Sequence, residues 1–348
     1  MSSAAPELGK RPQHGPMAWA GAFTGFYPAT ARDLDQLDPL TRFLYAARSV
    51  ILVISAQAAV LSGLLAATDR RFDVVPFVLV FVGFLVLHAI SNLSNDYFGY
   101  RRGHDTDDSP RRRYTLHPVA SGAFSMRFLG TGLLLLGIVA AAIAVYFAVL
   151  RGWGAILLAA VGALLLYAYD AAPKALKELG LGEFAAFLVW GPLMIGGGYF
   201  VITGHWSGDA FLASVPYGLG VASILIGKHI DQRNFDLGQR QHTLPVLLGE
   251  SRARLLDRSV VVLMYAFVAL GIGVGALSPL AAVVALALPR AVRAVRVMAQ
   301  PAPTQAPAGY VGWPLWYHRV CLVHNRAFGW LLILGLAAGA VWPSIRLG

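Results

Sequence analysis

Between Ser91 and Tyr114 the chain reads SNLSNDYFGYRRGHDTDDSPRRRY, directly after the apolar run VVPFVLVFVGFLVLHAI. Asn92 and Asp96 are spaced i, i+4, which on a helix puts both heads on one face. Asn95 sits beside them, and Asp105, Asp107 and Asp108 follow on a stretch loosened by Gly99 and Gly103. Oxygen donors of this kind suit Mg²⁺, which takes one or two carboxylates and completes its shell with substrate phosphates. The interleaved Arg101, Arg102 and Arg111 to Arg113 suit a diphosphate, because guanidinium forks match phosphate oxygens. Arg111 to Arg113, Asp107 and Asp108 read as a solvated loop. Asn92 and Asp96 do not, because they follow an apolar run with no charged residue to share the helix end.

A second cluster lies in GKHIDQRNFDLGQRQHTLPVLLGE, Gly227 to Glu250. His229, Gln232, Arg233 and Asp236 fall on one helical face, with Asp231 beside it. Lys228, Arg233 and Arg240 supply the positive charge. Taken alone, this cluster reads equally well as a polar helix end with ion pairs. The presence of the first cluster favours a functional reading.

The elements that carry both clusters are membrane spans. The 348 residues are 57% hydrophobic and 13% charged, with mean hydropathy +0.61. A spanning helix needs roughly 20 apolar residues. Nine candidates are expected at about 46–68, 74–92, 128–150, 153–169, 183–203, 210–228, 259–277, 279–297 and 328–344. With the N-terminus inside, 24 of the 28 Lys and Arg fall on or beside inward segments. Arg70, Arg71, Arg151 and Arg346 remain outside. This asymmetry predicts the topology. It also accounts for most of the net charge of +10, so nucleic acid is not an expected partner, while anionic lipid is. Residues 1–45 form a cytoplasmic lead-in, with a possible interfacial helix in ARDLDQLDPLTRFLYAARSV and no cleavable signal peptide. Residues 46–345 form the transmembrane domain. Cys321 is the only cysteine, so neither a disulfide within the chain nor a thiolate metal cluster is possible.

The two acidic clusters lie four spans apart. That layout suggests an all-α bundle of nine helices around a central cavity, built as two pseudo-repeated four-helix blocks plus one helix.

The motifs resemble those of the UbiA superfamily of intramembrane prenyltransferases, in particular its menaquinone-pathway branch that prenylates dihydroxynaphthoate. The family pattern Asn-x-x-Asn-Asp/Glu-Tyr-x-Asp-x-x-x-Gly-x-Asp is met by Asn92, Asn95, Asp96, Tyr97, Gly103 and Asp105. Its Thr-Leu anchor is met by HTLPVLLGE, and YAYDAAPKALKELGLGEFAAFLVWGPLMIGGGYF fits the segment between. There are two departures. Gly99 stands where the family has an acid, and Gln232 stands where it has its second motif's first aspartate.

The resemblance implies Mg²⁺-dependent transfer of a prenyl group from a polyprenyl diphosphate to an aromatic or quinone-precursor acceptor. It implies Asn92, Asn95, Asp96, Asp105, Asp231 and Asp236 as metal-site candidates, with Asp96, Asp236 and Asn92 central to catalysis. Lys174, Lys177, Arg101 and Arg240 are candidates for the diphosphate. Asp231 could replace the acid lost at Gln232 if the helix unwinds between His229 and Asn234. In a regular helix five residues turn Asp231 and Asp236 about 140° apart, leaving Asp236 as the main acid. The altered motifs keep open a terpene cyclase of the same superfamily that needs no acceptor. A transporter is less expected, because no acid falls mid-span in the segments above. The expected location is a bacterial inner membrane, with the acidic loops cytoplasmic.

Overall fold

Apolar runs punctuated by Gly, Pro and charged residues fold as helices, and no strand occurs among the described residues. The computed structural model describes residues 14–24, 31–103, 116–310 and 312–342. Three short helices lead in: α1 (Pro16–Thr24), α2 (Ala31–Asp35) and α3 (Pro39–Ala46). Next come α4 (Val53–Thr68), α5 (Val74–Arg101), α6 (Met126–Arg151), α7 (Trp153–Leu166), α8 (Gly182–Leu188), α9 (Gly197–Thr203) and α10 (Gly208–Gly238). The chain closes with α11 (Leu244–Leu248), α12 (Glu250–Gly273), α13 (Leu288–Ala299) and α14 (Tyr317–Val341). The helix around α7 ends in a π-helical turn, Tyr167–Ala171, and another, Val189–Gly196, joins α8 to α9 around Pro192.

Among the described residues eight helices are long and apolar enough to cross a membrane. The segment expected at 279–297 is helical but divided. Pro279–Ala287 is a 3₁₀ stretch, and α13 then carries Arg290, Arg293 and Arg296. Those three arginines keep it outside the eight. Several helices also outrun their hydropathy. The expected 74–92 and 210–228 extend to Arg101 and Gly238, and the expected 259–277 and 328–344 start earlier, at Glu250 and Tyr317. Apolarity marks lipid thickness, whereas backbone hydrogen bonds continue wherever side chains permit. Asp96, Asp231, Asp236 and Asp257 are therefore helical residues rather than loop residues. Asp257, eight residues into α12 and before the expected start at 259, is fully buried.

The chain divides into two compact units, one of residues 1–53 and 85–141, the other of 54–84 and 142–348. In the first unit the core is Leu34, Leu37, Tyr45, Ala46, Leu93, Ala123, Phe124 and Leu129. Helix α3 is capped by Asp38, whose carboxylate accepts from the Thr41 N–H at 3.0 Å and the Thr41 hydroxyl at 2.6 Å. The same carboxylate accepts from Trp19 Nε1 and Gly15 N, which ties α1 to α3. Burial alone would raise this carboxyl, but the four hydrogen bonds prevail and hold it at about 2.

In the second unit α10 is the buried axis, packed against α8, α12, α14 and the Val189–Gly196 turn. Side chains are absent where α10 meets that turn. A Cβ on Gly218 would lie 2.7 Å from the Phe187 carbonyl oxygen and 2.9 Å from Gly191 Cα, so only glycine permits this crossing. Arg151 at the end of α6 donates to the Val201 and Ile202 carbonyls at 2.9 and 2.6 Å. It thereby satisfies the exposed C-terminal carbonyls of α9. Leu134, Leu135, Val149 and Leu157 on α6 and α7 stay exposed, as lipid-facing side chains do.

Candidate active site

In the first unit, polar groups of α5 are turned onto the chain just before α4. Arg48 adopts a left-handed backbone with φ 55° and leads into the 3₁₀ turn Ser49–Ile51. Non-glycine residues rarely hold that conformation without a compensating interaction. Here Arg48 forms an ion pair with Asp96, which is fully buried, and one turn earlier Asn92 donates to the Ala47 carbonyl at 2.9 Å. The i, i+4 pair thus shares a face, as its spacing requires. Asn95 is half-buried beside it. Gly99 is buried at the next turn and offers no ligand atom. Asp105 lies outside the described residues. Arg101 ends α5, is exposed, and pairs with no acid among the described residues.

In the second unit, four chain segments converge around the end of α10. His229 Nδ1 lies 2.7 Å from Glu183 Oε1, and both side chains are buried. Glu183 Oε2 is buried with no hydrogen-bond partner among the described residues. Asp236 is 4% exposed, accepts from the Thr243 hydroxyl at 3.2 Å, and lies within electrostatic reach of His229, Lys228 and Glu183. The His242 N–H donates to the Glu178 carbonyl, and Arg233 Nε donates to the Pro245 carbonyl at 3.1 Å. The Thr-Leu motif is thereby clamped between the 3₁₀ turn Leu176–Leu179 and α10. Lys177 pairs with the buried Asp170 at 2.7 Å. Lys174 and Arg240 are exposed, and Arg240 has a left-handed backbone with φ 55°.

Asp231 is not brought to Asp236. Helix α10 runs without a break from Gly208 to Gly238, so the unwinding entertained between His229 and Asn234 does not occur. The Asp231 carboxylate instead accepts from Tyr317 N at 3.0 Å and His318 N at 2.9 Å, capping the start of α14. Each Asp231 oxygen thus accepts one backbone donor of α14.

Sequence reasoning passed over two participants, Arg48 and Asp170, and one pairing. Arg48 was signalled by a lone charge within AARSVILVI, and Asp170 by one at the end of an apolar run. Glu183 and His229 were noticed separately, but their pairing across 46 positions has no local signal.

Eight apolar helices among the described residues, with buried acids in both units, lysines beside one set and a Thr-Leu anchor, define a class. The chain belongs to the UbiA prenyltransferase family, whose model matches residues 56–313, and it is a prenyltransferase and an integral membrane protein. It is 26% identical over 290 residues to 1,4-dihydroxy-2-naphthoate octaprenyltransferase of Bacillus subtilis (strain 168), covering 82% of this chain and 88% of that protein. Its fold matches that of a UbiA homologue from Aeropyrum pernix K1, with TM-score 0.60, 17% identity, and coverage of 81% of this chain and 97% of the other. It also matches a UbiA homologue from Archaeoglobus fulgidus solved with GPP and Mg²⁺, with TM-score 0.51, 14% identity, and coverage of 83% and 98%.

Proposed function

We propose that this protein transfers a prenyl group from a polyprenyl diphosphate to an aromatic quinone precursor of the dihydroxynaphthoate kind. The observation that carries the reading is Asp236, a buried carboxylate set among Lys228, His229 and Glu183 at the end of α10. Such a group is costly to bury and is retained where charge must be managed.

Oxygen donors fit Mg²⁺. The unpartnered Glu183 Oε2 and the lightly held Asp236 are hard ligands in one unit, and Asp96 with Asn92 and Asn95 offers a similar set in the other. No group of three or more His, Cys, Asp or Glu among the described residues would hold an ion by itself, so substrate phosphates and water would complete the shell. When bound, Mg²⁺ would neutralise the charge that builds on the leaving diphosphate. Lys177 and Lys174 would bind diphosphate oxygens, with Arg101 and Arg240 as exposed cations that collect the anionic substrate. Glu183 would hold the His229 ring in one orientation. The apolar helices would keep water from the allylic carbon.

Nine spans fit this reading, with 279–299 as the eighth, the N-terminal segment 1–45 cytoplasmic and the acidic clusters on that side. The catalytic domain is then 46–345, in a bacterial inner membrane.

The test is to incubate membranes with a labelled prenyl diphosphate and Mg²⁺, with and without dihydroxynaphthoate. Acceptor-dependent labelled product supports the proposal. A cyclic product made without acceptor would place the protein with the terpene cyclases, and no diphosphate release would remove the reading.

A further inference from the structure

Asp209, in the first turn of α10, lies about 40 Å along the helix axis from Asp236. That distance matches a bilayer with its headgroups, so the start of α10 sits at headgroup level. Trp206 just before it is 51% exposed, as a ring at the membrane interface is. A cavity of about 310 Å³ opens at this end, wholly within the second unit.

The cavity is amphiphilic. Its apolar lining includes Leu65, Leu277 and Leu336, all buried, together with the buried ring of Tyr199. Asp69 and Asp209 also line it but are exposed, so the acids mark its mouth. No Lys or Arg among the described residues lines it. Its frame is fixed. Leu277 N donates to the Gly271 carbonyl at 2.9 Å, and Ser278 Oγ accepts from Leu280 N at 3.3 Å. A Cβ on Gly339 would lie 2.7 Å from Ser278 Cβ, so this turn is seated directly on α14. A site framed in this way loses little freedom when it is filled.

The two acids differ in their surroundings. Asp209 stands at a helix start, where the dipole favours a carboxylate. Asp69 follows the last residue of α4, where the dipole disfavours one. The Tyr199 hydroxyl donates to Asp69, but a neutral donor does not offset its charge. Arg70 and Arg71 come next in the chain and are exposed, and Arg71 lies within electrostatic reach of Tyr199. Only four of the 28 Lys and Arg fall on the segments read as outward, and these are two of them. Carboxylates at the mouth suit an ammonium, the arginines beside it suit a phosphate, and the buried apolar lining suits the carbon atoms between and beyond. A metal ion would leave that lining unmatched, and no group of three or more His, Cys, Asp or Glu among the described residues gathers here.

We propose that this cavity holds the headgroup of an ethanolamine phospholipid, its ammonium between Asp69 and Asp209 and its phosphate toward Arg70 and Arg71. The site is separate from the acidic clusters and does not depend on the reaction proposed above.

The test follows thermal unfolding of the full-length protein in nanodiscs of phosphatidylcholine, alone or with added phosphatidylethanolamine or phosphatidylglycerol. Phosphatidylethanolamine should raise Tm by about 2 °C or more, because a ligand held by the folded state stabilises it. Phosphatidylglycerol, which lacks the ammonium, should not. The gain is read within each variant, so a change in intrinsic stability cancels. It should vanish in Asp69→Asn/Asp209→Asn, which keeps the shape and removes the charge. It should also vanish in Ala276→Phe, which fills the cavity and keeps the charge. In Arg70→Gln/Arg71→Gln it should shrink. Soluble phosphoethanolamine added to phosphatidylcholine discs separates a free headgroup from the lipid. An equal gain from phosphatidylglycerol, or a phosphatidylethanolamine gain that survives in the paired Asp variant or in Ala276→Phe, would overturn the proposal. Phosphoethanolamine acting where the lipid does not would overturn the lipid as occupant. A rise in Tm with Ca²⁺, without any response to phosphatidylethanolamine, would assign a metal site instead.

Discussion

Arg48 and Asp96 form an ion pair in which the carboxylate is wholly removed from solvent. Deleting one partner of such a pair leaves an uncompensated charge, at a cost of about 3–5 kcal/mol. Arg48→Ala is expected to lower thermal stability in detergent by about that amount. The double variant Arg48→Gln/Asp96→Asn should recover much of the loss without recovering turnover. A double variant no more stable than Arg48→Ala would show that the pair contributes little to folding.

Asp236 is the acid on which turnover should depend. Asp236→Asn keeps the shape and the Thr243 contact but removes the charge. A loss of about 10²–10³ in kcat is expected, the scale for one electrostatic group acting on developing charge. Chelation of divalent cations should abolish wild-type activity and added Mg²⁺ restore it. Undiminished turnover in EDTA would exclude a divalent cation from the mechanism.

Asp38 gives a pH signature away from the membrane-spanning helices. Its carboxyl is held at about 2, below the ordinary 3.8. A depressed carboxyl stabilises the fold fully above its unfolded value and loses that contribution as pH falls through its folded one. Asp38→Asn should therefore be less stable than wild type near neutrality, and the gap should close between about pH 4 and pH 2. A gap that does not vary with pH would mean that the capping geometry matters but the charge does not.

The 31 residues of α10 span about 45 Å, enough to put its ends on opposite sides of a bilayer. Cysteines placed at His205 and Arg240 in a Cys321→Ser background should be labelled from opposite sides, with Arg240 cytoplasmic. Labelling of both from one side would break the proposed topology.

Helix positions and the Asn92–Asp96 face could be read from the sequence, because a long apolar run and an i, i+4 spacing are local signals. Helix ends could not, since hydropathy stops at the lipid boundary while α5 and α10 continue through their polar motifs. The partners of the acids were hidden for another reason. Arg48 reaches Asp96 across 48 positions, and Asp231 reaches Tyr317 across 86, so chain packing decides those contacts. Asp231 lies close to the Thr-Leu anchor in sequence, yet on the unbroken α10 its carboxylate meets the first backbone N–H groups of α14, a contact no local spacing signals.

The bare backbone crossing at Gly191 and Gly218 bears on how such a protein can diversify. Neither position has a side chain to trim or enlarge, and any replacement would shift the helix that carries Asp236. Inherited variation is barred there. It is free on the lipid-facing sides of α6 and α7, where exposed Leu134, Leu135 and Leu157 meet only hydrocarbon. Lineages descended from this chain should therefore drift fastest on the outer helices, while the two glycines stay fixed even where the acceptor changes.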